Sequence, residues 1–188
     1  MNQASSDDSR ALRADVASRI RAAIREIPDY PKPGILFKDI TPLLADSPLF
    51  AATCDLMAAP FRDRRVDLVM GAESRGFIFG TAIAQALGCG FVPVRKPGKL
   101  PRKTHRVTYD LEYGSDTLEA HVDAVVPGQR VLLVDDLLAT GGTLEACGTL
   151  ARHFRATIVG ISVLIELTGL RGRSRLAPFG EVHSVLTY

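Results

Sequence analysis

Two adjacent carboxylates, Asp135 and Asp136, end the oily run Val131–Val134, and the turn Ala139-Thr140-Gly141-Gly142-Thr143 follows closely. Carboxylates repel phosphate, whereas a Thr/Gly turn that opens a helix attracts it through backbone N–H groups and the helix dipole. A ligand that wants both within a few ångströms is a sugar phosphate, with hydroxyls on one edge and a phosphate on the next carbon. A helix-capping aspartate followed by a plain turn would carry the same residues, but the buried-strand pattern before it and the two threonines favour a ligand. The turn lacks the Walker spacing and holds no lysine, which argues against a nucleoside triphosphate site.

Ala72-Glu73-Ser74-Arg75-Gly76 follows a strand pattern and opens a helical one, forming a second candidate anion site with an arginine beside it. Arg95, Lys96, Lys99, Arg102 and Lys103 surround Gly98 and Pro101; taken alone, such a charge run is most often a solvated face. His105, His121, His153 and His183 show no metal-ligand spacing. Cys54, Cys89 and Cys147 are odd in number and far apart, so neither a zinc site nor a disulfide framework is expected, and a reducing cytosol is.

The elements that must position these groups alternate. Val66–Gly71, Phe91–Val94, Arg130–Val134 and Thr157–Ile165 read as strands, and Gly76–Leu87 and Thr143–His153 as helices, with Gly88 where a helix end wants a left-handed residue. Alternation of this kind predicts an α/β fold: a central, mostly parallel β-sheet flanked by helices. Ligands in such sheets sit beyond the carboxyl ends of the strands, where Asp135 and Asp136 would be delivered. Residues 106–123 alternate polar and apolar around Gly114-Ser115-Asp116 and predict a β-hairpin projecting from the core. Upstream, residues 1–9 are expected to be a disordered tail and Leu12–Ile27 a helix with Val16, Ile20, Ala23, Ile24 and Ile27 on one face. PDYPKPGILFKDIT (28–41) is expected to be a stiff extended loop, and Ser47-Pro48 to start a helix with Ser47 as its cap.

A chain of 188 residues with no internal repeat suits one domain, 1–188. Its net charge of +2 suggests neither a nucleic-acid nor a membrane surface. No signal-peptide core or membrane-length apolar run is visible, so a cytoplasmic protein is expected.

VLLVDDLLATGGT resembles the phosphoribosyl pyrophosphate (PRPP) signature of the type I phosphoribosyltransferases. The resemblance implies that Asp135 and Asp136 face the ribose diol, and that Ala139, Thr140, Gly141, Gly142 and Thr143 surround the 5′-phosphate. Family members that act on hypoxanthine or guanine carry an aspartate at the position of Ala139, which handles a proton of the purine's imidazole ring. Ala139 cannot titrate, so a proton-handling group, if needed, comes from elsewhere. PDYPKPGILFKDIT, GAESRGFIFG (71–80), RKPGKLP…LEYG (95–114) and IELTGLRGRSRL (165–176) resemble the adenine phosphoribosyltransferase family in this order and at this spacing, over roughly Ile24 to Tyr188.

That resemblance implies adenine and PRPP as substrates, AMP and pyrophosphate as products, and a cytoplasmic homodimer that binds neither nucleic acid nor membrane. It implies a small N-terminal hood over residues 10–45 and a lid loop and hairpin over 95–123. Pyrophosphate is expected at Glu73, Ser74 and Arg75, with a cis peptide near Glu73-Ser74. Cations aimed at the leaving group should supply much of the rate, because negative charge grows there as the sugar becomes positive. Lys99 is the first candidate for this contact in the lid, followed by Lys96 and Arg95, one of them reaching across a dimer interface. Glu112 matches the glutamate that the family brings over the purine and is the acid/base candidate, as acid or as base. Tyr113 would order the hairpin or approach the reacting centre. Phe37 would stack on adenine while main-chain groups of Leu36 and Lys38 read its edge. No residue is assigned to a resident metal; Mg²⁺ is expected to arrive with PRPP, largely water-coordinated. The rival readings are a xanthine-type phosphoribosyltransferase and a non-catalytic PRPP-sensing regulator. PDYPKPGILFKDIT opposes the first, and the lack of a basic face or added DNA-binding segment opposes the second. No GxGxxG follows a strand, which removes a dinucleotide-binding oxidoreductase.

Overall fold

The proline-rich stretch expected to be an extended loop closes instead into a hairpin. Strand β1 (Arg25–Pro28) pairs antiparallel with β2 (Leu36–Asp39), so that Ile27 lies opposite Phe37 and Pro28 opposite Leu36. The three prolines confine irregular backbone to the connection, where Tyr30–Pro31 is cis, and β-compatible residues on either side pair across it. The computed structural model describes residues 3–110 and 115–188. The chain divides into two compact units, Met1–Leu56 and Met57–Tyr188.

In the first unit, helix α1 (Gln3–Ala23) starts inside the stretch expected to be a tail and stops before Ile27. Apolar periodicity registers only the part of a helix that has a face to bury, here Val16 and Ile20 onward, and pairing with β2 claims Arg25–Pro28. After α2 (Thr41–Ala45), helix α3 (Ser47–Ala58) is capped by Asp46 rather than Ser47. The Asp46 carboxylate accepts the N–H of Leu49 at 3.0 Å and its carbonyl accepts that of Phe50 at 2.8 Å, placing Ser47 and Pro48 in the first turn.

The second unit is built on β3 (Leu68–Ala72), α4 (Arg75–Leu87), β4 (Gly90–Val94), β5 (Thr104–Asp110), β6 (Ser115–His121), β7 (Arg130–Leu138), α5 (Gly142–His153), β8 (Thr157–Glu166), α6 (Gly172–Leu176) and β9 (Val182–Thr187). Five of these strands form a wholly parallel sheet in the order β4-β3-β7-β8-β9. Gly88 caps α4 in the left-handed region at φ 68°. From β3 the chain crosses through α4 outward to β4, and from β7 through α5 outward the other way to β8. Right-handed crossovers leaving in opposite directions put their helices on opposite faces, so the carboxyl ends of β3 and β7 frame the crevice where the winding reverses. Val131, Leu132, Leu133 and Val134 at the centre of β7 have no exposed surface, as burial on both faces of the sheet requires. The strand is longer than its apolar run: it carries Asp135 and Asp136 inside it and ends at Leu138.

The expected hairpin is β5 paired with β6, from Thr104 opposite His121 to Asp110 opposite Ser115. Arg95 and Glu119 exchange both main-chain hydrogen bonds, at 2.9 and 2.7 Å, and the N–H of Val122 reaches the carbonyl of Lys103 at 3.1 Å. The basic loop between Arg95 and Lys103 is therefore tied down at both ends. Among the described residues, no helix is long and apolar enough to cross a membrane.

Helix α5 lies against the short 3-10 turn Ala177–Phe179 through Gly148, where a Cβ would come within 2.4 Å of the Phe179 ring. That ring is buried and covered by the Arg152 guanidinium at 4.4 Å, so it has little room to retreat. Gly148→Ala is expected to destabilise the fold by about 1–3 kcal/mol. Thermal unfolding followed by circular dichroism reads this directly, and an unchanged midpoint would show that the ring yields without strain.

Candidate active site

The crevice between the ends of β3 and β7 holds a pocket of about 430 Å³ lined by Glu73, Ser74, Arg75, Asp135, Asp136, Leu137, Ala139, Thr140, Gly141, Gly142, Thr143 and Leu144. Two stretches some sixty residues apart in sequence thus meet because β3 and β7 are paired neighbours. Glu73–Ser74 is a cis peptide, as the family resemblance implied, and Arg75 opens α4.

The two aspartates are nearly inaccessible, at 9% and 6% exposure. Asp135 Oδ1 accepts the backbone N–H of Asp136 at 2.9 Å, and Asp136 Oδ2 lies 2.7 Å from Arg75 Nε. Gly76 lets α4 approach this closely, since a Cβ there would stand 3.0 Å from Asp135 Oδ1. Burial lifts the Asp135 carboxyl well above the usual carboxylate range, and the Asp136 charge beside it adds to the lift. Burial raises Asp136 as well, with the Arg75 guanidinium pulling against it. Hydrogen bonds donated by hydroxyl groups would stabilise the ionised form of these acids and restore part of what burial removes.

The turn after β7 is shaped for an anion. Gly141 takes φ 88°, a conformation that favours glycine, and α5 starts at Gly142 with Glu145 N–H closing on the Gly141 carbonyl at 2.9 Å. The N–H groups of the first helical turn have no partner within the helix, and Gly142, Thr143 and Leu144, which carry them, line the pocket. The turn is buttressed from outside: a Cβ on Gly172 would lie 2.2 Å from the Ala139 carbonyl oxygen, and one on Gly141 would lie 2.9 Å from the Gly172 carbonyl oxygen. This contact gives IELTGLRGRSRL a structural part in the site.

The remaining candidates are distributed differently. Arg95 Nε lies 2.8 Å from Glu73 Oε2, and its Nη1 reaches the Lys99 carbonyl at 3.2 Å, so Arg95 links the pocket wall to the basic loop. Lys96 pairs with Asp116 of β6 at 3.0 Å, a hydrogen bond that holds its ammonium above the ordinary lysine pKa. Lys96 and Lys99 do not line the pocket, and both are exposed. Leu36, Phe37 and Lys38 belong to the first unit, in β2, with Phe37 half-buried and 5.1 Å edge-on from Tyr30, and Lys38 paired with Glu26. Glu112 and Tyr113 lie outside the described residues. Sequence reasoning passed over Leu137 and Leu144, which line the pocket, and Asp116, which reads as turn chemistry but lies in β6 and pairs with Lys96.

The phosphoribosyl transferase domain family matches residues 43–179. An adenine phosphoribosyltransferase of Rhodopirellula baltica is 60% identical over 169 residues, covering 90% of this chain and 82% of the relative. The crystal structure of adenine phosphoribosyltransferase from Rhodothermus marinus superposes with a TM-score of 0.89 at 49% identity, covering 93% of this chain and 99% of that one. The Saccharomyces cerevisiae enzyme, complexed with an imino-altritol bisphosphate and adenine, gives a TM-score of 0.87 at 40% identity, covering 92% and 99%.

A carboxyl whose pKa rises on folding weakens the folded state once it ionises. Stability attributable to Asp135 therefore falls as pH climbs from the ordinary carboxylate range through the raised pKa, and stays lower above it. Asp135→Asn, which can still accept the Asp136 N–H, removes that penalty. Its melting temperature is expected to exceed wild type by about 2–4 °C at pH 7.5, with the difference closing towards pH 4. An Asn variant that melts lower than wild type at neutral pH would mean that the ionised pair is fully compensated.

Proposed function

This chain belongs to the adenine phosphoribosyltransferase family, and from that premise we infer that it transfers the 5-phosphoribosyl group of PRPP to adenine, giving AMP and pyrophosphate. The observation that carries the reading is the convergence of a buried carboxylate pair, a helix-opening Thr/Gly turn and an arginine turn on one pocket.

In this reading Asp135 and Asp136 accept hydrogen bonds from the ribose diol, while Ala139 to Thr143 hold the 5′-phosphate on backbone N–H groups and the two threonine hydroxyls. Glu73, Ser74 and Arg75 receive the pyrophosphate. Arg75 begins paired to Asp136 and Arg95 to Glu73. An incoming diol and pyrophosphate would give each of these groups a new partner of the right polarity, so the pocket exchanges internal ion pairs for ligand contacts. Bond cleavage leaves positive charge on the sugar beside the acids and negative charge on the leaving pyrophosphate beside the arginines, which is where fixed charges lower the barrier. Lys99, Lys96 and Arg95, on the doubly anchored loop, would complete the leaving-group site and keep water from the activated sugar.

For the base, Phe37 offers a stacking face and the main chain of Leu36 and Lys38 an edge to read. A 6-oxo purine would leave those groups unpaired, and sites of that kind discriminate by about 10⁴ or more in favourable cases. Glu112 is the acid/base group that Ala139 cannot supply, with Tyr113 beside it in sequence. Mg²⁺ suits the hard oxygen donors of the pocket, and Asp135, Asp136 and Glu73 are the side chains that would meet its water shell. Bound with PRPP, it would neutralise pyrophosphate charge. A homodimer is proposed on the family resemblance, and a reducing cytoplasm on three cysteines that are all free thiols.

Incubation with PRPP, Mg²⁺ and each purine separately should give a nucleotide with adenine alone. Product only with xanthine would move the assignment to another base, and no product with any base would leave a PRPP-binding protein without this activity. Glu112→Gln should lose about 10²-fold or more in kcat with little change in PRPP affinity. Equal losses in both would place Glu112 on the sugar.

A further inference from the structure

Helix α6 backs the turn that opens α5. Gly172 meets that turn through the main chain, since a Cβ on Gly141 would lie 2.9 Å from the Gly172 carbonyl oxygen. Further along α6, Arg175 meets it through the side chain. Its Nε lies 2.5 Å from Glu145 Oε2, and its Nη1 stands 3.5 Å from where a Gly142 Cβ would be, an ordinary contact distance. Gly141, Gly142, Thr143 and Leu144 line the pocket, whereas Arg175 and Glu145 do not. The ion pair therefore flanks the groups that would meet a phosphate without reaching into the pocket itself.

Glu145 carries the conflict. A carboxylate in the first turn of a helix suits the dipole and stabilises the helix. The same charge repels an anion drawn to the N–H groups of that turn. As a staple the pair contributes little: each side chain keeps 33% of its surface exposed, and ion pairs that wet are worth little in stability. Its charges act further than its contact does. Unit charges about 10 Å apart, near a protein surface, still shift a binding constant several-fold. A guanidinium against both Glu145 and the Gly142 backbone is placed to cancel the repulsion.

Resting on the phosphoribosyl reading above, we propose that Arg175 is a positioning residue for the 5′-phosphate: paired to Glu145, it offsets the carboxylate at the start of α5, so that the turn receives the phosphate without an opposing charge. Arg175→Met keeps the aliphatic stem and removes the charge. Its Kd for ribose 5-phosphate, by calorimetry, and its KM for PRPP are expected to rise about three- to tenfold. The KM for adenine and the Kd for pyrophosphate, neither of which carries a 5′-phosphate, should stay within about twofold of wild type. Added KCl should shrink the loss. Glu145→Gln should tighten ribose 5-phosphate by about twofold or more, and combining the two substitutions should bring its Kd back to within about twofold of wild type. A merely structural role would instead weaken pyrophosphate and adenine as well, with no dependence on salt. An unchanged ribose 5-phosphate Kd in Arg175→Met, or a loss that Glu145→Gln does not restore, overturns the proposal and leaves the transferase reading in place. If Arg175→Met is not recovered folded, Glu145→Gln decides alone: ribose 5-phosphate bound no more tightly than by wild type overturns it. A wild-type protein that makes no AMP would remove the adenine reading without touching these titrations, which need no turnover. One that fails to bind ribose 5-phosphate would remove both.

Discussion

Two ionisable carboxylates side by side within the central strand of a parallel sheet are costly to bury. A buried charge needs a partner or a hydrogen bond, and adjacent like charges need more than one. The surrounding architecture answers that need. Asp136 donates its backbone N–H to Asp135, Arg75 sets its guanidinium against Asp136, and Gly76 omits the Cβ that would keep α4 away. The helix that supplies the cation can lie there because β3 and β7 are neighbours and their crossovers leave in opposite directions.

The same pairing explains how a pocket rich in acids can accept a polyanion. Its cations are already present, held by its own carboxylates: Arg75 on Asp136 and Arg95 on Glu73. A ligand with hydroxyls at one end and phosphates at the other satisfies both halves at once, whereas a simple phosphate must compete for an arginine and leave an acid alone. Under the proposed function, such an arrangement of internal ion pairs would favour a phosphorylated sugar over free phosphate.

Much of this was written locally. The run VLLVDDLLATGGT placed the acids, the turn and the start of α5, and Gly88 marked the end of α4, because strand burial, left-handed caps and helix starts each have a residue-level cause. What local reasoning missed depended on partners elsewhere in the chain. The β1–β2 pairing overrode the prolines of 28–41, Asp46 took the cap from Ser47, and α1 extends past the periodicity that announces it. In the site, the Arg95–Glu73 and Lys96–Asp116 pairs join residues about twenty apart, and Gly172 reaches Ala139 across the end of β8. Nothing in a run of residues states which cation will find which acid; sheet order and hairpin register decide it.

The loop between Arg95 and Lys103 leaves and re-enters the hairpin where main-chain hydrogen bonds to Glu119 and Val122 clamp it. With both ends fixed, its length and composition are uncoupled from strand register. Descendants of this chain could lengthen, shorten or recharge it without shifting a single pair in the β5–β6 ladder. Evolution can therefore edit a part on which the rest of the scaffold does not lean.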